Sequence, residues 1–285
     1  MIVKAVSSGD NRYAVPGLER GLAILRAFTR DKPERSAPEL AALLGLPRAT
    51  VHRLLRTLED MHCLERADDG RSYRLGVGVL QLGFEYLATQ SVVELGRPLI
   101  ERLCELTRTP AHLVVRDGRG IVYVVRAAPP SVLVGTVGVG TRLPAHATVL
   151  GRVLLCDRTL AELRELFPEA RLPVSTKQTP TTVSQLHALI AADRERGFGI
   201  SEGFYEQGIS TIAAPVRNRT NQVVAAVGLT ITAPFIDDEL VRAGAVERTI
   251  ETAAELSRRL DYRGDDYRHA LVNARAFRLE RGKAA

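Results

Sequence analysis

Cysteine is scarce in this chain of 285 residues: Cys63, Cys104 and Cys156 are far apart and odd in number. No disulfide framework or thiol metal spacing is present, which points to a reducing cytoplasm and buried structural thiols. Cys104 falls in a helical stretch with no base nearby, a poor setting for a nucleophile. There is no apolar N-terminal run of the signal-peptide kind, and no stretch apolar enough to span a bilayer, so no membrane partner is expected. Catalytic signatures are missing as well: no G-x-S-x-G, no H-E-x-x-H, no Walker loop. Gly138-Val139-Gly140-Thr141-Arg142-Leu143 opens like a dinucleotide fingerprint, but the third glycine is absent and Pro144 denies it a helix. No catalytic residue, metal site or cofactor is therefore assigned.

What is present suits two domains, with 45% apolar residues to build their cores. The net charge of +6 mildly favours a nucleic-acid partner, although it bears on association rather than fold.

The most informative stretch is 36–58, SAPELAALLGLPRATVHRLLRTL. Ser36 and Glu39 form a capping box that satisfies orphan backbone donors at a helix start. Leu40, Leu43 and Leu44 then share one face, and Gly45 supplies a left-handed stop. Pro47 suits the first turn of a second helix, in which Val51, Leu54, Leu55 and Leu58 form the stripe to be buried. The opposite side holds Ala49, His52, Arg53 and Arg56, with Arg48 and Thr50 at the tip. Arginine reads guanine edges or grips phosphate, threonine does either, and a small alanine permits close approach to a base. This is the form of a helix-turn-helix, the alternative being an ordinary helical hairpin with a solvated basic face.

The surroundings favour the first reading. Residues 64–67 and 72–75 are short alternating segments around Asp68-Asp69-Gly70-Arg71, a hairpin signal that makes the motif winged and puts Arg71 at the wing tip. Residues 17–30 supply a first helix, with Leu18, Leu22, Ile24 and Leu25 to pack the small core. Residues 77–90 form a helix too apolar for a free spacer, running into another over 93–107; a second copy of the chain is the simplest cover for it.

Beyond this the pattern is mixed α/β. Strands are expected over 112–116, 121–126, 132–137, 211–216 and 222–232. Helices are expected over 149–156, after Thr182-x-x-Gln185 as far as Gly197, and over 237–261. Strands in hairpins flanked by helices imply an antiparallel sheet with helices on its faces. The charged stretch 262–285 reads as a frayed helix or disordered tail.

Five spaced motifs carry a resemblance to the IclR family of bacterial transcription regulators: GLERGLAIL (17–25), ELAALLGLPRATVHRLLRTL (39–58), YRLG (73–76), RLPAHATVLGRVLL (142–155) and GISTIAAPV (208–216). The resemblance covers roughly residues 15 to 261. It implies an α+β chain with a winged helix-turn-helix, a linker helix that aids dimerisation and a C-terminal effector-binding domain similar to the GAF fold. The expected division is a flexible tail over 1–14, the DNA-binding domain over 15–76, the linker over 77–92, the effector domain over 93–261 and the charged tail over 262–285. Members usually bind small organic acids and switch nearby catabolic genes. RLPAHAT looks most like the subgroup governing aromatic-acid (β-ketoadipate) breakdown.

A buried carboxylate needs preformed donors, and a helix start provides them. The helix opened by His146, Ala147 and Thr148 follows a strand and a turn, so its start should face a pocket. Similarity to the family puts Thr148 and backbone donors near Val149 and Leu150 on the ligand, with Ser201, Thr211, Thr230 and Thr232 at matching positions opposite. Thr230 and Thr232 are two apart on a strand and so share a face. Several relatives carry Cys at the place of Thr211, and some carry an acid at that of Ser201. Arg126 and Arg142 are candidate counter-charges, and His146 an orienting group for the turn. The expected partners are operator DNA, a small organic acid and a second copy of the chain, as a dimer or dimer of dimers. Two other classes stay open: a ligand-independent DNA-binding protein whose second domain only oligomerises, and an enzyme acting on a small acid.

Overall fold

The computed structural model describes residues 13–29, 31–130, 137–233, 236 and 244–283. It divides into two compact units, Met1–Thr89 and Gln90–Ala285.

In the first unit, α1 (Pro16–Ala27) precedes β1 (Glu34–Ser36), α2 (Ala37–Leu44), α3 (Arg48–Asp60), the hairpin β2 (Leu64–Arg66) and β3 (Ser72–Leu75), and α4 (Gly78–Thr89). The capping box at α2 is complete: the Ser36 hydroxyl accepts from the Glu39 amide at 3.4 Å, and the Glu39 carboxylate accepts from the Ser36 amide at 2.8 Å. Gly45 ends α2 in the left-handed region at φ 64° and donates to the Ala41 carbonyl, turning the chain into α3. Pro47 stands just before α3 as its N-cap. Ile24, Leu40, Val51, Leu55, Leu64 and Tyr73 meet in the core. Leu18 and Leu22, expected to pack the core, are exposed at 63% and 42%, and Leu43 on the apolar face of α2 at 41%; the two helices bury Ile24, Ala27, Ala37, Leu40 and Ala41 instead. β1 was not anticipated; it pairs with β3 and makes the wing three-stranded.

Ser36→Ala is expected to cost about 1 kcal/mol of first-unit stability, read by chemical denaturation. The Ser36 backbone amide, then Lys32 and the Ser36 hydroxyl, hold the Glu39 carboxyl down at about 2, against an ordinary value of 4.5. The folded value lies below the unfolded one. The carboxylate's contribution is therefore full above pH 4.5 and fades as pH falls towards 2. Acid titration of the wild type should show this fading, and Ser36→Ala should blunt it.

In the second unit, α5 (Ser91–Thr107) leads to β4 (Ala111–Asp117), β5 (Gly120–Ala127) and β6 (Arg142–Pro144). A 3-10 turn (Ala145–Ala147) follows, then α6 (Val149–Leu154), α7 (Leu160–Leu166), α8 (Val183–Arg196), β7 (Gly199–Glu202), β8 (Ser210–Arg217) and β9 (Val223–Ile231). The last elements are α9 (Ala245–Arg259) and α10 (Asp266–Lys283). Six strands make one antiparallel sheet in the order β6-β5-β4-β9-β8-β7. The Thr182–Gln185 capping box is present, with Gly197 closing α8. α6 is shorter than expected, ending at Leu154. All but the last residue of the strand expected over 132–137 lies outside the described residues. So do 237–243 of the closing helix and most of the 1–14 tail.

The charged end is an ordered helix, not a loose tail. Ala270 sits against Gly197, where a Cβ would fall 2.5 Å from its own. Asn273 donates to the Glu195 and Arg196 carbonyls at the end of α8, and Tyr267 donates to the Pro215 carbonyl on β8. A sparse apolar pattern hides this helix because small residues and side-chain hydrogen bonds anchor it. Among the described residues no helix is long and apolar enough to cross a membrane.

Candidate functional site

On α3 the helical period sorts the residues as amphipathicity requires. Val51, Leu55 and Leu58 are buried; Arg48, Ala49, His52, Arg53 and Arg56 are exposed, and Thr50 is half-buried at the helix tip. Arg56 pairs with Asp60 at 3.3 Å, both in solvent, a contact too weak to withhold it from a phosphate or base. Among the described residues no carboxylate pairs with Arg48, Arg53 or Arg71. Arg71 is exposed in the β2–β3 turn. The Asp69 carboxylate shapes that turn by accepting the Arg71 and Ser72 amides at 2.8 and 2.7 Å, which holds its pKa below the usual range. Gly70 takes the left-handed position there, at φ 64°.

The second unit holds a cavity of about 320 Å³ lined by all seven residues expected at the effector site. Register explains how three strands contribute. Ser201 on β7 pairs with Thr211 on β8, which pairs with Thr230 on β9. Directly opposed residues share a face, so the three hydroxyls form one row across the sheet. Thr232 lies two residues further along the chain, just past the end of β9, and is exposed. The start of α6 lies over this face: Leu150 packs on Gly228 and Val149 on Gly199, places where a Cβ would meet them at 2.6 Å. A Cβ on Gly151 would fall 2.0 Å from the Ala145 carbonyl oxygen, so only glycine lets α6 follow the 3-10 turn so closely. The Thr148 hydroxyl caps α6 by accepting from the Gly151 amide at 3.0 Å. Helix geometry leaves the first-turn amides of Val149 and Leu150 without intrahelical acceptors.

Several lining residues were not anticipated: His112, Tyr123, Phe204, Tyr205 and Glu206. Tyr123 and Arg126 are three apart on β5, yet both line the cavity, because a bulge shifts the β4–β5 register between Leu113 and Val114. Burial raises the Tyr123 phenol well above its usual range. Burial, helped by Arg126, pushes His112 down to about 3. Arg142 is not a cavity counter-charge; it pairs with Asp117 at the exposed sheet edge. His146 also stays outside the lining and bonds the Pro173 carbonyl through Nε2 at 2.9 Å, which orients the turn. The three thiols are buried and free, with Cys156 pushed up by burial to about 12.

A winged helix-turn-helix in one unit and a hydroxyl-rimmed cavity in an α/β second unit define the class of a DNA-binding regulator with a second, non-DNA-binding domain. Residues 17–68 match the IclR helix-turn-helix domain, and residues 84–258 match the bacterial transcriptional regulator IclR C-terminal domain. The chain is 32% identical to the Pca regulon regulatory protein of Pseudomonas putida, covering 78% of this chain and 76% of that one. It is 29% identical to the HTH-type transcriptional regulator XynR of Escherichia coli, over 87% and 98% of the two chains. The solved structure of an IclR transcriptional regulator from Alicyclobacillus acidocaldarius superposes with a TM-score of 0.76 at 27% identity, over 86% of this chain and 99% of that one. The chain belongs to the IclR family of DNA-binding transcription regulators.

Proposed function

We propose that this regulator controls genes for the breakdown of an aromatic acid, and that the acid itself, bound in the second-unit cavity, changes operator affinity. The observation that carries this is the cavity: a hydroxyl row and a helix start on one side, with the rings of His112, Tyr123, Phe204 and Tyr205 in its lining. Its volume of about 320 Å³ is at the small end of the usual ligand range, a size for one ring rather than an extended molecule. Likeness to the Pca regulon regulatory protein supports the same class. An oligomerising domain without a ligand has no need of such a cavity. Among the described residues the three thiols lie outside its lining, and burial raises the pKa of Cys104 and Cys156. The working protein is a cytoplasmic homodimer. Exposed Leu18 and Leu22 on α1, and Leu80, Leu82 and Phe84 on α4, supply apolar surface for a second copy. Two copies would place two α3 helices on the half-sites of a pseudo-palindromic operator.

The DNA-reading set is Arg48, Ala49, Thr50, His52, Arg53 and Arg56 on α3, with Arg71 on the wing. Arg56→Ala is expected to weaken specific operator binding by about 1–3 kcal/mol, measured by fluorescence anisotropy at fixed salt. Random-sequence DNA should lose much less. Equal operator affinity in variant and wild type would contradict the assignment of this face.

A further inference from the structure

Helix α10 lies past residue 258, where the match to the family's C-terminal domain ends, so nothing in that match accounts for it. One end of its docking surface is the passage from α8 into β7. The last four carbonyls of a helix have no partner inside it. In α8 the Gly197 amide serves two of them, Asp193 and Arg194. The side-chain amide of Asn273 on α10 serves the other two, donating to the Glu195 carbonyl at 3.2 Å and the Arg196 carbonyl at 3.1 Å. The half-buried Asn273 thus completes, from another helix, a cap that Gly197 alone leaves unfinished. Beside it Ala270 closes on Gly197 with no room for a Cβ, and Phe277 stands edge-on to Phe198 at 6.2 Å between ring centres.

The residues held in this way lead straight into the cavity wall. Gly199 opens β7 in contact with Val149 of α6, and Ser201, two residues on, lines the cavity. A chain of ion pairs runs in parallel. Arg196 pairs with Asp193 at 2.6 Å, and Asp193 pairs with Arg152 of α6 at 2.6 Å. Arg152 also donates to the Ile200 carbonyl between Gly199 and Ser201. The β7 end of the hydroxyl row and the start of α6 are therefore both tied to the last turn of α8.

We propose that Asn273 is a positioning residue for the acid site: by fixing the end of α8 it sets where Ser201 and the first turn of α6 stand. It is not among the lining residues and acts through α8 alone. This rests on the reading of the cavity as an acid site. A site whose walls are already held in place binds without the cost of ordering them. Where only a fraction of molecules has the walls in place, apparent affinity falls by that fraction.

The test is calorimetric titration of the full chain with benzoate, phenylacetate and phthalate, followed by variants titrated with the tightest binder of the three. Asn273→Leu keeps the volume and removes the donor; it is expected to weaken that acid by about three- to tenfold under conditions where the chain is fully folded. Asn273→Gln keeps an amide and should recover most of the affinity. Ile100→Val, in the core on α5, should lower the urea midpoint and leave acid affinity alone, which separates positioning from general stability. Hydrogen exchange without acid gives an independent reading: Asn273→Leu should speed exchange over 197–202 and leave β4 and β5 as in the wild type. Wild-type acid affinity in Asn273→Leu, a loss as large in Asn273→Gln or Ile100→Val, or unchanged exchange over 197–202 overturns the proposal and leaves the acid site standing. If Asn273→Leu does not fold, Asn273→Ala takes its place with the same expected and contrary results. Wild-type binding of none of the three acids overturns the acid site and this proposal with it.

Discussion

Arg152→Met is expected to destabilise the second unit by about 3 kcal/mol or more, measured by urea denaturation with probes confined to that unit. Arg152 lies on α6, and its side chain is 3% exposed; that of Asp193 on α8 is 2% exposed. The guanidinium donates to the Asp193 carboxylate at 2.6 Å and to the Ile200 carbonyl at 3.3 Å, and lies 4.5 Å from the ring centre of Phe204. Removing the cation strands a buried carboxylate, whose remaining ionic partner is the half-exposed Arg196 at 2.6 Å. Truncating one side of a buried pair costs about 3–5 kcal/mol, and Arg196 places this case at the lower end. The pair Arg152→Met with Asp193→Leu should recover most of the loss, since two apolar side chains of matching volume leave no buried charge. A single variant within about 0.5 kcal/mol of wild type, the usual range for a surface change, would contradict the buried pair. Phe204 lines the cavity, so the single variant should also bind acid more weakly than its stability loss explains.

The pair of changes Thr230→Val and Thr232→Val is expected to remove acid binding while sparing the fold. Each exchange keeps the branched shape and deletes a hydroxyl. Hydrogen bonds to a charged group contribute about 1.5–3 kcal/mol, so the half-buried Thr230 alone should cost at least tenfold in acid affinity. Thr232 is exposed beyond the strand end and adds less. Operator affinity in the absence of acid should be unchanged, because neither residue belongs to the DNA-binding unit. Wild-type acid affinity in the double variant would remove the hydroxyl row from the site.

The outward face of α3 was legible because its signals are local. A capping box, a left-handed glycine and one apolar stripe fix which side of α3 faces outward, and Arg48, Ala49, His52, Arg53 and Arg56 are exposed as expected. The hydroxyl row was legible from strand parity together with family likeness. His112 and Tyr123 were not, since their entry into the cavity depends on which strand neighbours β4 and on a bulge no spacing reveals. β1 is three residues long and exists through pairing with β3, far along the chain. Leu18 and Leu22 follow the apolar pattern of a core helix but are exposed.

The central claim is that acid bound in the second unit and DNA bound by the first are energetically coupled. Operator affinity of the full chain, measured at one salt concentration with and without a saturating aromatic acid that the chain binds, tests it directly. The expected result is a shift of about 5–150-fold, with the reciprocal shift in acid affinity when operator is present, and no shift for Thr230→Val with Thr232→Val. Acid binding that leaves wild-type operator affinity unchanged would contradict the account.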